Sequence, residues 1–119
     1  MKNQPFLHRL RWAWSGIRGA LRSEQSFRTQ ALCAAAAAIA LAILRPPLVW
    51  VVLCLVSAAM VLALELVNTA LERLADRLHP EVHPAIRAAK DSAAAAVLIA
   101  AATAAIVGVL TVVAALGRR

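Results

Sequence analysis

Three stretches of the chain, residues 31–44, 47–64 and 93–116, contain no charged side chain, and the 13 basic and 6 acidic residues all lie outside them. Such runs have few physical options. A helix satisfies its own backbone, so an apolar segment of roughly 20 residues is stable across a bilayer's hydrocarbon core. With 62% hydrophobic residues in 119, the composition is too apolar for an ordinary soluble domain and long enough for one domain only. The expectation is a single all-α membrane domain over 1–119, with transmembrane helices near 28–45, 47–67 (the helix extending to 78) and 92–116. The first run is the short one. Its fourteen residues rise only about 21 Å, so that span must borrow the turn from Arg28 to Gln30.

Charge placement sets an orientation. Lys2, Arg9, Arg11, Arg18, Arg22 and Arg28 precede the first span, and Arg73, Arg77, Arg87 and Lys90 lie between the second and third. Only Arg45, Arg118 and Arg119 fall on the opposite side. The excess places the N-terminus and the second loop in the cytoplasm of a multi-pass inner-membrane protein. A net charge of +7 would point to nucleic acid in a soluble protein; here it reports orientation, and no nucleic-acid partner is expected. A basic N-terminus before an apolar run also describes a cleaved leader, but nearly thirty residues with Trp12, Trp14 and Phe27 do not fit that pattern. Cys33 and Cys54 lie inside the expected spans and are read as inert small side chains.

Leu7, Leu10, Trp14, Ile17 and Leu21 recur at three- and four-residue steps, with Arg9, Arg11, Arg18 and Arg22 between them. This predicts an N-terminal amphipathic surface helix over about 5–24, lying in the membrane plane. A plain interfacial anchor without chemistry accounts for the same pattern. Arg45-Pro46-Pro47 breaks the first hairpin, and no further breaker precedes His79-Pro80. The second spanning helix can therefore run about 48 Å, well beyond a core of about 30 Å, and its last third must project into the cytoplasm. Pro84 can open the next helix. Thin, alanine-rich helices bury little alone, which favours a homo-oligomer.

On that long helix Glu65, Asn68, Thr69, Glu72 and Asp76 fall within a stripe about 100° wide. Three carboxylates on one face repel unless cations or basic partners offset them. Mg²⁺ is a natural candidate, because it takes one or two carboxylates together with substrate phosphates. Glu65, nearest the membrane, can reach a lipid hydroxyl and accept its proton as the oxygen attacks the γ-phosphorus of ATP. Glu72, two turns nearer the cytoplasm, is better placed for metal, and Lys90 can offset phosphate charge. Glu24 lies on the same side, before the first span. A solvated face with local ion pairs at Glu72, Arg73, Asp76 and Arg77 explains part of the pattern, but it leaves Glu65 and Asn68 without a role. His79 and His83 are separated by Pro80 and read as loop residues first. There is no Walker loop, kinase glycine loop or HExxH motif.

The segment from Glu65 to Glu72 (ELVNTALE), with Asp76-Arg77, Ala89-Lys90-Asp91 and the downstream Ala95-Ala96-Val97-Leu98-Ile99, resembles the small prokaryotic diacylglycerol kinases, a family that includes undecaprenol kinases. Trp14-Ser15-Gly16-Ile17-Arg18 and Glu24-Gln25-Ser26-Phe27-Arg28 resemble its surface-helix region. The resemblance implies a homotrimeric bundle with shared active sites and ATP-dependent phosphorylation of a lipid hydroxyl, diacylglycerol first and undecaprenol as the alternative. It implies Glu65 as general base and Glu24 and Glu72 as Mg²⁺ ligands. Glu24, Asn68, Glu72, Asp76, Glu81, His83, Lys90 and Asp91 then belong to the ATP site, and Glu65, Trp14, Arg18 and Arg28 to the lipid side. Ala75 departs from the larger aliphatic residue usual there, and His83-Pro84 is closer to the undecaprenol branch. A proton-coupled exporter would need its glutamate deeper in a span, and a non-catalytic scaffold would leave the acids unexplained.

Overall fold

The computed structural model describes residues 3–117, so Lys2, Arg118 and Arg119 lie outside the described residues. Four helices follow in order: α1 (Phe6–Ser23), α2 (Gln25–Leu44), α3 (Leu48–Leu78) and α4 (Pro84–Gly117). The last three are long and apolar enough to cross a membrane. The short first run lies within one continuous 20-residue helix. That helix starts at Gln25, before the expected 28, so the turn from Arg28 to Gln30 does belong to it.

The α1–α2 corner is a single residue. Glu24 takes an extended conformation (φ −113°, ψ 108°) and is at once the C-cap of α1 and the N-cap of α2. Neither proline nor glycine forces this break; a side chain stabilises it. Arg28 Nη1 donates to the carbonyls of Leu21 (3.1 Å) and Arg22 (2.9 Å), acceptors that the end of α1 would otherwise leave without partners. At the opposite end of α2, Arg45 adopts the left-handed conformation (φ 48°, ψ 58°), and its N–H donates to Leu41 O at 2.9 Å. Glycine usually occupies such a position. Pro47 then caps α3.

α3 covers 31 residues, about 46 Å at 1.5 Å per residue, and stops at His79 before Pro80. His83 caps α4 through a 3.1 Å hydrogen bond from the Ala85 N–H to its Nδ1, with Pro84 at the first helical position, where a missing N–H costs nothing. The most extensive helix pair is α3 with α4; α2 packs mainly on α3, and α1 contacts both α2 and α3. Small side chains permit the close approach, and Ala115 and Thr111 of α4 are almost fully buried. Cys54 Sγ meets Thr111 Oγ1 at 3.2 Å. The hydroxyl of Thr111 donates to Val107 O at 2.7 Å, which leaves its lone pairs for the thiol.

The large apolar side chains point the other way. Leu32, Ile39, Ile43, Val52, Leu55, Leu98, Ile106 and Val113 are all exposed, an arrangement that would aggregate in water and is stable against lipid or against further helices.

Two measurements test this packing. Ala115→Leu overfills the α3–α4 contact and should cost about 1–3 kcal/mol, lowering the midpoint of thermal unfolding in detergent. Arg28→Ala should leave total helix content unchanged while amide exchange at the end of α1, residues 20–23, becomes faster.

Candidate functional site

The stripe on α3 runs from a buried end to an exposed one. Glu65 is 4% exposed and Thr69 7%; Asn68 and Glu72 are half-buried, and Asp76 is exposed. This gradient follows from the length of α3, whose inner end leaves its neighbours behind. Glu65 carries a carboxylate into a place where an unpartnered charge is costly, and the Ser26 hydroxyl of α2 donates to its Oε2 at 3.0 Å. One turn along, Asn68 Oδ1 is buried with no hydrogen-bond partner, an acceptor that in a settled structure calls for a donor or a cation.

Beyond this point the charges pair between helices. Arg73 of α3 reaches Glu24 at 3.0 Å and also bonds Ser23 Oγ. Asp76 pairs with Lys90 of α4. These contacts correct the reading of residues 72–77 as a face paired along its own helix: Arg73 fastens the α1–α2 corner to α3, and Asp76 fastens α4. Arg87 and Asp91 form an i,i+4 pair at 3.2 Å. The groups are partly solvated, so each pair contributes at most about 1 kcal/mol; their effect is to fix directions.

Glu24, Glu65, Asn68, Glu72, Asp76 and Lys90 therefore lie around the C-terminal half of α3. The remaining predicted residues lie further out. Glu81 sits in the α3–α4 turn, exposed, where its carbonyl contacts His79 Nδ1 at 2.9 Å. The His83 Nδ1 is used as a helix cap, which leaves Nε2 for any ligand. Trp14 and Arg18 are exposed on α1. Arg28 spends Nη1 on the carbonyls of α1, and only its other N–H groups remain for a lipid. Among the described residues no three His, Cys, Asp or Glu side chains are close enough to form a metal site. Sequence reasoning placed neither Ser26 nor Arg73 at the site; both act across helices, and helical periodicity carries no signal for such a register.

Residues 11–112 match the family described as prokaryotic diacylglycerol kinase, a span that contains every site residue named above. A diacylglycerol kinase of Synechocystis sp. is 36% identical over 99 residues, 82% of this chain and 57% of that protein; the chain thus spans little more than half of that relative. The diacylglycerol kinase of Escherichia coli (strain K12) is 34% identical over 89 residues, 75% of this chain and 73% of its own length. An undecaprenol kinase of Bacillus subtilis (strain 168) is 34% identical over 106 residues, 88% of this chain and 82% of its own. A match that covers three membrane-length helices and the whole carboxylate stripe settles the relationship: the chain belongs to the prokaryotic diacylglycerol kinase family, a family of lipid kinases.

Proposed function

We propose that this protein phosphorylates a membrane lipid hydroxyl with ATP and Mg²⁺, converting diacylglycerol to phosphatidic acid at the cytoplasmic face of a bacterial inner membrane. The observation that carries the reading is the burial of Glu65 at the foot of an apolar helix, within a few turns of acids that water reaches. A lipid hydroxyl and a soluble nucleotide can meet only at such a boundary.

Glu65 accepts the proton of the lipid hydroxyl as that oxygen attacks the γ-phosphorus; the bond to the β–γ bridging oxygen breaks and ADP leaves. The donor set suits a hard cation. Glu24 and Glu72 supply carboxylate oxygens, the buried Oδ1 of Asn68 is an acceptor without a partner, and Glu24 already holds a cationic group, Arg73, at 3.0 Å. Glu24 and Glu72 would hold Mg²⁺, which neutralises charge on the phosphate oxygens. Asn68, Asp76, Glu81, His83, Lys90 and Asp91 line the nucleotide side, with Lys90 exchanging Asp76 for phosphate.

On the lipid side stand Trp14, Arg18 and Arg28. α1 serves as an amphipathic helix in the headgroup layer, its exposed Phe6, Leu7, Leu10 and Trp14 entering the lipid and its arginines meeting phosphates. A homotrimer whose subunits share each site, as the family resemblance implies, would cover part of the exposed apolar faces.

Diacylglycerol is the first reading because an open surface groove at the start of α2 is lined by polar side chains, Glu24, Gln25, Ser26, Thr29 and Gln30. The amides of Gln25 and Gln30 offer donors to ester carbonyls, which a polyprenol lacks. Undecaprenol is the second reading, because the Bacillus subtilis enzyme of that name covers 88% of this chain.

The test is transfer of the γ-phosphate of labelled ATP by the purified protein, with diacylglycerol and undecaprenol assayed side by side. Phosphatidic acid is the expected product, faster transfer to undecaprenol selects the second reading, and no transfer to either overturns the kinase. Glu65→Gln should lower kcat by about 10²–10⁴-fold with ATP affinity nearly unchanged, whereas Glu72→Gln should weaken Mg·ATP binding. Equal loss of binding in both variants would undo the division of roles.

A further inference from the structure

Five of the described serine and threonine hydroxyls share one pattern, and Ser26 departs from it. Ser23 donates to Gly19 O, Thr29 to Gln25 O, Ser92 to Ala88 O, Thr103 to Ile99 O and Thr111 to Val107 O, each four residues back along its own helix. Ser26 instead donates across to α3, at 3.0 Å from Glu65 Oε2. The cause is local. The carbonyl four residues before Ser26 is that of Arg22, which lies beyond the Glu24 corner in α1 and accepts from Arg28 at 2.9 Å. With no acceptor behind it, the hydroxyl is directed at the carboxylate.

We propose that Ser26 is a positioning residue for phosphoryl transfer: it holds Glu65 by Oε2 so that Oε1 is presented to the acceptor hydroxyl, an inference that rests on the reading of Glu65 as the general base. A glutamate side chain has three rotatable bonds, and a base is effective only within about 2.6–3.2 Å of the proton it takes. One fixed oxygen removes most of that freedom. The anchor is itself rigid, because Ser26 lies in the first turn of α2. That turn is tied to α1 by Arg28 and to α3 by the Glu24–Arg73 pair. The partner is also neutral. A serine orients the carboxylate without cancelling the charge that must receive the proton, which an arginine or lysine would do.

The experiment compares the full-length protein with Ser26→Ala, Ser26→Thr, Ser26→Cys and Glu65→Gln in phosphatidylcholine vesicles containing diacylglycerol. Ser26→Ala should lower kcat about tenfold, the scale of one hydrogen bond to a charged group, with KM for ATP and for lipid changed less than about twofold. Ser26→Thr, which restores a hydroxyl, should recover most of kcat; Ser26→Cys, a weak donor of similar size, should fall between and provides the measurement if the alanine variant does not fold. Wild-type kcat in Ser26→Ala and Ser26→Cys alongside an inactive Glu65→Gln overturns the role of Ser26 alone. A loss that threonine fails to restore, or one carried by KM, makes the residue structural and also overturns it. Full turnover by Glu65→Gln overturns the base itself and this inference with it.

Discussion

The length of α3 governs the rest of the structure. Its 31 residues rise about 46 Å, whereas the hydrocarbon they cross is about 30 Å thick. The helix cannot end at the membrane surface, and its excess carries Glu65, Asn68, Glu72 and Asp76 through the boundary on one face. A loop at that level would expose backbone groups to lipid. A continuous helix keeps them satisfied while it moves acidic side chains from an apolar setting into water, one turn at a time. The other helices are arranged around that exit: α1 and the Glu24 corner on one side, the start of α4 on the other.

The ion pairs gain their importance from direction more than from energy. Arg73 could have stabilised α3 by pairing along its own helix, and Asp76 likewise. Both instead reach neighbouring helices, to Glu24 and Lys90, so the same contacts fix the α1–α2 corner and the start of α4 against the C-terminal half of α3. Each carboxylate engaged in this way keeps a cation beside it, and exchange of one cation for another is easier than filling a bare cluster of negative charge.

The spans, the breakers and the acidic stripe were legible in the sequence because each depends on spacing within one segment. Charge-free runs mark helices by length, Arg45-Pro46-Pro47 and His79-Pro80 mark their ends, and a 100° step places Glu65, Asn68 and Glu72 together. What could not be read depends on how one helix sits against another. The one-residue corner at Glu24 has no breaker in it; a side chain four positions on, Arg28, stabilises it. The contact of Ser26 with Glu65 spans 39 positions and needs the register of α2 on α3. Periodicity places a residue on a face but is silent about what that face meets.

The chemistry of the partner given to Glu65 matters as much as its place. A buried carboxylate is usually accommodated by a cation or by several N–H donors, and either would reduce its ability to take up a proton. Cationic side chains are close by, yet Arg73 is drawn to Glu24 and Arg28 to the carbonyls of α1. Glu65 is left with a hydroxyl. The break between α1 and α2 is what produces this distribution, since it creates the orphan carbonyls that occupy Arg28 and removes the carbonyl that would otherwise have taken the hydroxyl of Ser26. A corner in the backbone thus decides which side chains are free to reach Glu65, the base we propose, and it leaves that carboxylate bonded to a hydroxyl and not paired with a cation.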